Sequence, residues 1–534
     1  MRDLMDKSKI SFVQQFVAIL LLCCAFSACS TTKGLSSKTS VSSTDKSIVI
    51  FYDNDVHGGI DGYAKIAGLR DAVAKSDTAW TAVVSCGDYL SGGVACTLKS
   101  GQYITDIISS VGYDALTLGN HEFDFYMPRL QELLPSMQAP VVCANLFPYQ
   151  KDNLLLPPYV IKQFGNKRVA FVGVTTPESM SMESYAFFDL DGNQLFDLRT
   201  ADVYQLVQQA VDKARSEGAD YVVVLSHLGE EKGETGIYSH GLVAATHGVD
   251  VVLDGHSHHV FVREDVKNRD GQLVPVTQTG TQFANVGKLL ITRDGRIVTS
   301  LIADADIPFK SEKVAATIDS VRADMHQATS RQLCKVGFEL TINDTKGDRL
   351  ARLNETNLGD LVSDAYLDYF GAEIGLMNGG GLRNSIPAGN VCYGDVVNAL
   401  PFINMMCEIE VTGQQLFDML VKCTSSLPLE DGFFPHVSGM KFTIHSRSHT
   451  ISDVIIRNKE THEYEPLVLD RKYTVATIDY YARGGFYDML KCCPFLVSTQ
   501  LLNRDCVAEY LAKLSPTTIE KYRVSQHRIT IVND

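Results

Sequence analysis

The sequence has no surplus of positive charge. It carries 48 Lys and Arg against 63 Asp and Glu, a formal net charge of -15. That balance excludes the global electrostatic footprint of a duplex nucleic-acid binder. A small anionic substrate stays open, because a bound metal ion can reverse a local field. With 40 Gly and 16 Pro in 534 residues, the chain is neither collagenous nor disordered. It has no internal repeat, heptad run or low-complexity adhesion segment, so nothing supports a solenoid or a structural surface protein. No CxxC or Cys/His zinc spacing occurs among the 13 cysteines. Only one apolar run matters for membranes, and it lies at the N-terminus. What is present is ordinary globular composition, 45% hydrophobic and 21% charged, at a length that suits two large domains.

Arg2, Lys7 and Lys9 make a weakly basic start, diluted by Asp3 and Asp6. An apolar stretch over 16–26 then ends in Phe26-Ser27-Ala28-Cys29. Small residues directly before a Cys form a secretory signal pattern, and the run is short of the ~20 residues of a spanning helix. The pattern resembles the lipobox of bacterial lipoproteins. That resemblance implies a signal peptide over 1–28 and a lipid anchor at Cys29. The protein would then sit in the cell envelope, on the periplasmic side of the outer membrane or at the cell surface. Residues 29–47, rich in Ser, Thr and Lys, suit a flexible tether. The ten cysteines beyond Cys29 read as buried small hydrophobes, and the sequence selects no disulfide pairs.

From 48 to 307 short Val/Ile-rich runs alternate with helical stretches. The runs fall at 48–52, 82–85, 115–118, 141–144, 169–174, 221–225 and 251–253, with a helical pattern at 203–217. Continuous apolar runs of this length predict strands covered on both faces, hence an α/β layered domain. Residues 311–330 have no Gly or Pro and carry Val314, Ile318, Val321 and Met325 near helical spacing. They predict a connecting helix within a linker over 308–331. A second α/β domain is expected over 332–534, opening with a helix near 357–370.

The polar residues carry the functional signal. The first run leads into Asp53-Asn54-Asp55-Val56-His57-Gly58, the second into Cys86-Gly87-Asp88, the third into Gly119-Asn120-His121-Glu122-Phe123-Asp124. The later runs lead into Ser226-His227 and Asp254-Gly255-His256-Ser257-His258-His259. Loops at the carboxyl ends of strands in an α/β sheet converge on one crevice. Asp, Asn and His together suit divalent metals such as Zn or Mn. A single His or Asp after a strand is more often a turn residue or a cap; five such loops in series are not explained that way.

These motifs resemble those of the calcineurin-like metallophosphoesterases. Asn54-Asp55-Val56-His57-Gly58 and Asn120-His121-Glu122-Phe123-Asp124 look more narrowly like the secreted 5'-nucleotidase family, which includes UDP-sugar hydrolases and 2',3'-cyclic-nucleotide phosphodiesterases. The resemblance implies a four-layer αββα sandwich followed by a second α/β domain. It implies two divalent metals bridged by Asp88, with Asp55, His57 and His258 completing one site and Asn120, His227 and His256 the other. The family often has Gln at the position of His258, and His259 is not expected as a ligand. Two metals ~3.5–4 Å apart clamp a phosphoryl group and activate water for in-line attack. His121 is implied to stabilise the transition state and Asp124 to orient it; taken alone, Asp124 also reads as a first-turn acid of a helix.

The second half is implied to choose the substrate. Asn378-Gly379-Gly380-Gly381-Leu382-Arg383 matches the family's glycine-rich loop, and Arg352 matches a second family arginine. Guanidinium forks suit phosphate and ribose oxygens. Gly380 and Asn378 are expected at the ligand, and Phe402 and Tyr480 fall where the family sandwiches a nucleobase. One departure stands out: Phe486 occupies the place of the family's ribose-binding Asp, leaving Asp488 as the candidate substitute. The expected activity is hydrolysis of nucleoside 5'-monophosphates for extracytoplasmic salvage, with nucleotide sugars and cyclic nucleotides as further candidates. The alternatives are a phosphatase or phosphodiesterase for another ester, and a non-catalytic nucleotide-binding lipoprotein. A hinge at the linker helix is also implied; metal identity and oligomeric state stay open.

Overall fold

A computed structural model describes residues 46–189, 192–483, 490 and 493–533. The expected signal peptide, Cys29 and nearly all of the tether lie outside the described residues, as do Phe486 and Asp488. The chain divides into two compact units, the first ending at Val321 and the second running Arg322–Asp534. The division falls within the helix Glu312–Thr329, which buries three of the four expected apolar positions, Val314, Ile318 and Val321, and leaves Met325 partly exposed. Among the described residues no helix is long and apolar enough to cross a membrane. No disulfide joins the described cysteines, and most are buried.

The first unit stacks two sheets. One has the strand order Ile297–Ala303, Asn285–Ile291, Ser47–Asp53, Ala79–Ser85, Ala115–Leu116. The other runs Val260–Lys267, Leu273–Thr279, Val251–Leu253, Tyr221–His227, Lys167–Thr175, Tyr159–Phe164. Side chains alternate across a strand, so each central strand feeds two cores. Ile48, Ile50 and Tyr52 meet Val169, Phe171, Val223 and Leu225 between the sheets. Ala170, Val172, Val222 and Val224 point the other way, under Val203, Val207, Ala210 and Val211 of the helix Val203–Ser216. The helix Asp61–Ser76 packs against the strand Ala79–Ser85. This is the four-layer αββα arrangement. Each fully buried Val or Ile contributes about 1.5–3 kcal/mol, so the strand ends are held firmly enough to carry strained loops.

Two details differ from the expected elements. The run 141–144 forms only a single bridge, Val141 with Leu116. Its Val142 N–H donates to Leu116 O and its Ala144 N–H to Gly173 O, both at 2.8 Å. It therefore crosses from one sheet to the other instead of extending either. The strands from Val260 to Ala303 were not expected; they form two antiparallel pairs, Val260–Lys267 with Leu273–Thr279 and Asn285–Ile291 with Ile297–Ala303, and the exposed Val260–Lys267 mixes apolar with charged residues.

The second unit has a five-stranded sheet ordered Pro435–Ser438, Ile374–Asn378, Lys472–Ile478, Met405–Thr412, Phe495–Leu502. A four-stranded sheet includes Met440–His445 and Ile529–Val532. The expected helix spans Asn357–Phe370. Thr356 caps its start by accepting from Gly359 N, and Gly371 ends it with a left-handed φ of 63°.

Candidate metal centre

All seven expected ligands lie in the first unit, at or just after the carboxyl ends of strands from both sheets. Asp55 and His57 follow Ser47–Asp53, Asp88 follows Ala79–Ser85, and Asn120 follows Ala115–Leu116. His227 ends its strand, and His256 and His258 follow Val251–Leu253. The loops are tied to one another: Asp55 N–H donates to Gly87 O (3.0 Å) and His57 N–H to Asp88 O (3.2 Å). Five of the seven hold left-handed backbone, Asp55 (φ 51°), His57 (40°), Asp88 (60°), His256 (81°) and His258 (61°). Such conformations cost about 1–3 kcal/mol each in a non-Gly residue and cluster at functional sites. Gly119 permits the closest approach: a Cβ there would lie 2.1 Å from Asp88 Oδ1 and 2.7 Å from His227 Cε1.

The donor atoms fall into two neighbouring sets, in contact where His227 meets Asp88. Asp55, His57, Asp88 and His258 make the first. His57 Nε2 is 3.6 Å from Asp55 Oδ1 and 3.4 Å from Asp88 Oδ2, and His258 Nε2 is 3.2 Å from Asp55 Oδ1. The two ring nitrogens face each other at 3.0 Å. In the second group His227 Nε2 is 3.2 Å from Asp88 Oδ2, and His256 Nδ1 is 3.1 Å from Asn120 Oδ1. The outward nitrogens are engaged elsewhere, His57 Nδ1 with Ser91 Oγ (2.8 Å) and His227 Nδ1 with Cys86 O (2.7 Å). That leaves His57 Nε2 and His227 Nε2 turned inward, and the buried His227 Nε2 has no hydrogen-bond partner.

The field is strongly negative. Burial opposes charge on His227, yet the Asp88 and Asp55 carboxylates hold its pKa up at about 10. Burial works against ionising Asp55 too, but His227, His258 and His57 bring its carboxyl down to about 2. Imidazoles and carboxylates that stabilise one another's charge around an orphaned ring nitrogen fit a divalent cation, and Asp, Asn and His are the donor types such ions take. His259 turns away and pairs with Glu230.

His121 and Asp124 sit beside this cluster. Both Asp124 carboxylate oxygens lie 3.1 Å from His121 Nδ1, and the His121 and His57 rings meet edge-on with centroids 5.3 Å apart. Burial lowers the His121 pKa, but the Asp124 hydrogen bond and the Asp88 charge carry it up to about 10. The imidazolium is the favoured form.

Three carboxylates here had no predicted role. Glu122 is fully buried and accepts four backbone N–H groups: Asp88 (2.8 Å) and Gly119 (2.6 Å) on Oε2, Tyr89 (2.8 Å) and Leu90 (2.9 Å) on Oε1. It therefore fastens the loop that carries Asp88. Glu183 accepts from Asn120 Nδ2 at 3.2 Å, and Glu178 Oε2 is 3.4 Å from His256 Nε2. Glu122 stands inside a motif already singled out; Glu178 follows the strand Lys167–Thr175 by three residues, as Asp88 follows Ala79–Ser85, but with no His, Asn or Gly beside it, and Glu183 lies further on.

In the second unit the strand Ile374–Asn378 runs into a tight turn, Gly379–Gly381. Gly380 N–H donates to Gly432 O (2.7 Å), as does Asn378 Nδ2 (3.0 Å). A Cβ on Gly379 would lie 1.9 Å from Ala351 O, so the turn abuts the segment carrying Arg352. Arg383 lies over the Phe402 ring at 5.6 Å. Tyr480 stacks parallel to Phe433 with centroids 6.4 Å apart. Arg352, Asn378, Gly380 and Arg383 are thus neighbours, with Phe402 beside Arg383 and Tyr480 reached through Phe433. A further arginine, Arg349, joins them: its Nη2 donates to Leu382 O at 2.7 Å, and burial together with Arg352 and Arg383 lowers its pKa.

Residues 53–260 match the calcineurin-like phosphoesterase family and residues 336–491 match the C-terminal domain of 5'-nucleotidases. The chain is 25% identical to a 5'-nucleotidase of Vibrio parahaemolyticus, covering 90% of this chain and 92% of that one. It is 26% identical to the protein UshA of Escherichia coli, covering 96% and 98%. Among the solved structures that share the fold are two 5'-nucleotidases. A putative 5'-nucleotidase from Staphylococcus aureus aligns with a TM-score of 0.64 at 20% identity, over 91% of this chain and 100% of that one. A 5'-nucleotidase precursor from Thermus thermophilus aligns at 0.56 and 24%, over the same shares.

Proposed function

For this chain, in which a calcineurin-like phosphoesterase domain is followed by a 5'-nucleotidase C-terminal domain, we propose hydrolysis of nucleoside 5'-monophosphates to nucleoside and phosphate. Two divalent ions, zinc, manganese or similar, would be held by Asp55, His57, Asp88 and His258 on one side and by Asp88, Asn120, His227 and His256 on the other. When bound, such ions supply Lewis acidity toward phosphoryl oxygens and activate water. His121, with Nδ1 committed to Asp124, keeps Nε2 as a charged donor for the negative charge that develops on the phosphoryl group. In the second unit Arg352 and Arg383 offer forked donors to oxyanions, Asn378 and Gly380 line the glycine turn, and Phe402 and Tyr480 offer ring faces to a base. Cys29 anchors the exported chain to the cell envelope, where it serves nucleotide salvage.

The observation that carries this reading is the gathering of Asp55, His57, Asp88 and His258 into one cluster, with the buried His227 Nε2 beside Asp88 and without a hydrogen-bond partner. The test is phosphate release by the chain from Ser30 onward, with Mn or Zn added, from AMP, UMP, UDP-glucose, cyclic AMP and glycerol phosphate. Metal-dependent release from the monophosphates, lost in Asp88→Ala, is expected. Phe486, standing where the family has a ribose-binding acid, favours the second reading of a non-nucleotide ester. Release from glycerol phosphate at least as fast as from AMP would select it. Tight AMP binding without hydrolysis, unchanged in Asp88→Ala, would mean a binding protein.

A further inference from the structure

The two halves of the metal cluster are supported differently. In the first, His57 leans on a serine hydroxyl, and His258 is exposed. In the second, two ligands are met by carboxylates from one short segment. Glu178 and Glu183 flank the single-turn helix Ser179–Met182. Glu183 Oε1 accepts from Asn120 Nδ2 at 3.2 Å, which turns Asn120 Oδ1 toward His256 Nδ1, 3.1 Å away. Glu178 Oε2 lies 3.4 Å from the other nitrogen of the same ring, His256 Nε2. The segment is itself anchored: Ser179 Oγ donates to Thr176 O (2.8 Å), Glu183 N–H to Ser179 O (2.9 Å), and Ala186 N–H to Glu183 O (2.8 Å). Glu183 is buried, so its grip on Asn120 is shielded from water.

We infer that Glu178 and Glu183 are positioning residues for one ion, the one held by Asn120, His227 and His256, and that this short segment sets its occupancy separately from the other. The inference rests on the two-metal reading. The physical reasons are specific. An Asn coordinates through its carbonyl oxygen and not through its NH2, so a flipped amide is no ligand. A carboxylate that takes the Nε2–H of His256 fixes the tautomer in which Nδ1 offers a lone pair, and makes that nitrogen more basic. Removing such an outer partner commonly weakens metal binding about 10–100-fold.

The experiment counts metal instead of turnover. The full mature chain is stripped with a chelator and titrated with Mn2+ or Zn2+ against a chromophoric competitor, with elemental analysis as a second readout. The unaltered protein should take up two ions. Glu183→Ala and Glu178→Ala should each keep one tight ion and loosen the other about 10–100-fold. Glu183→Gln retains an oxygen to accept from Asn120 and should restore the second ion, which a merely structural loss would not. His258→Ala, on the other half, should loosen one ion in an otherwise intact Glu183 protein. Two ions bound with unaltered affinity in both alanine variants would overturn the inference, as would equal loss of both ions. Fewer than two ions in the unaltered protein would overturn the two-metal reading and this inference together.

Discussion

The metal-ligand loops of the first unit and the glycine-turn region of the second solve opposite problems. In the first, charged side chains are buried, strained and held by partners within the same scaffold. Asp55 and Asp88 are 0% and 1% exposed, and both adopt left-handed backbone. In the second, the backbone is pinned but the side chains are open. Gly379 N–H and Gly380 N–H are bonded to Phe434 O and Gly432 O, while Phe402 is 47% exposed and the carboxylate of Glu430 comes no nearer Arg352 than 3.9 Å. A site for ions has its electrostatic work done in advance by the fold. The glycine-turn region instead keeps the Phe402 ring in solvent and Arg352 without a close carboxylate.

The comparison breaks most visibly at Glu122, which supports a metal loop without being a ligand. Glu122→Gln replaces one acceptor oxygen by an NH2 that faces two N–H donors. Orphaning two buried donors costs about 1–3 kcal/mol each, enough to release the Asp88 loop. Hydrolysis should fall about 100-fold or more, bound metal should be lost, and the thermal midpoint should drop. A variant with undiminished metal content would show that the loop is held by other means.

Arg383→Ala sharpens the contrast from the other side. Losing a charge-assisted hydrogen bond to the substrate costs about 1.5–3 kcal/mol, so KM should rise about 10–100-fold. Metal content and kcat should stay close to their original values. Lysine should not restore affinity, because it lacks the planar fork. A fall in bound metal in this variant would erase the division of labour between the two regions.

The same contrast explains what the sequence could announce. The candidate ligand positions stood out in the sequence because divalent ions take few side-chain types, and those types recur directly after apolar runs, as in Leu225-Ser226-His227. The central strands were legible for a related reason: burial on both faces leaves an unbroken Val/Ile run. The run 141–144 misled because an apolar segment that crosses between two sheets has the same composition as one lying within a sheet. Glu178 and Glu183 were silent because a carboxylate that acts through a neighbour, here the amide nitrogen of Asn120 or Nε2 of His256, carries no spacing rule. Arg349 was missed although it stands only three residues before Arg352.

Buried carboxylates also occur in the second unit, and there they face one another instead of a ligand-type cluster. Arg528 Nη2 donates to Asp364 Oδ1 at 2.6 Å, and Glu355 Oε2 accepts from the backbone of Arg528 and Ile529. Burial, helped by the Glu355 charge and opposed by Arg528, raises the Asp360 pKa to about 9. A carboxyl raised above its unfolded value of about 4 adds stability that is complete below that pH. The contribution is lost as pH climbs through about 9. Asp360→Asn keeps an oxygen for Gln526 N–H, bonded at 2.8 Å, and removes the proton. Between pH 6 and 9 the unaltered chain should lose stability more steeply than the variant, by up to about 1.4 kcal/mol per pH unit. Parallel thermal-unfolding midpoints across that range would rule out a protonated Asp360.

Phe402 should give the smallest effect, and the most selective one. The residue is about half exposed, so truncation removes little packing from the folded chain, and surface changes of this kind usually stay within about 0.5 kcal/mol. One face is already engaged by Arg383 at 5.6 Å, which leaves the other for a base. Stacking of a base on an aromatic ring is worth about 1–3 kcal/mol, and a solvent-exposed ring belongs at the low end. Phe402→Ala should therefore lower kcat/KM for AMP about fivefold while leaving glycerol phosphate unaffected, and Phe402→Trp should preserve the preference. Equal losses on both substrates would place Phe402 with the scaffold, and the nucleoside would then have to be recognised without that ring.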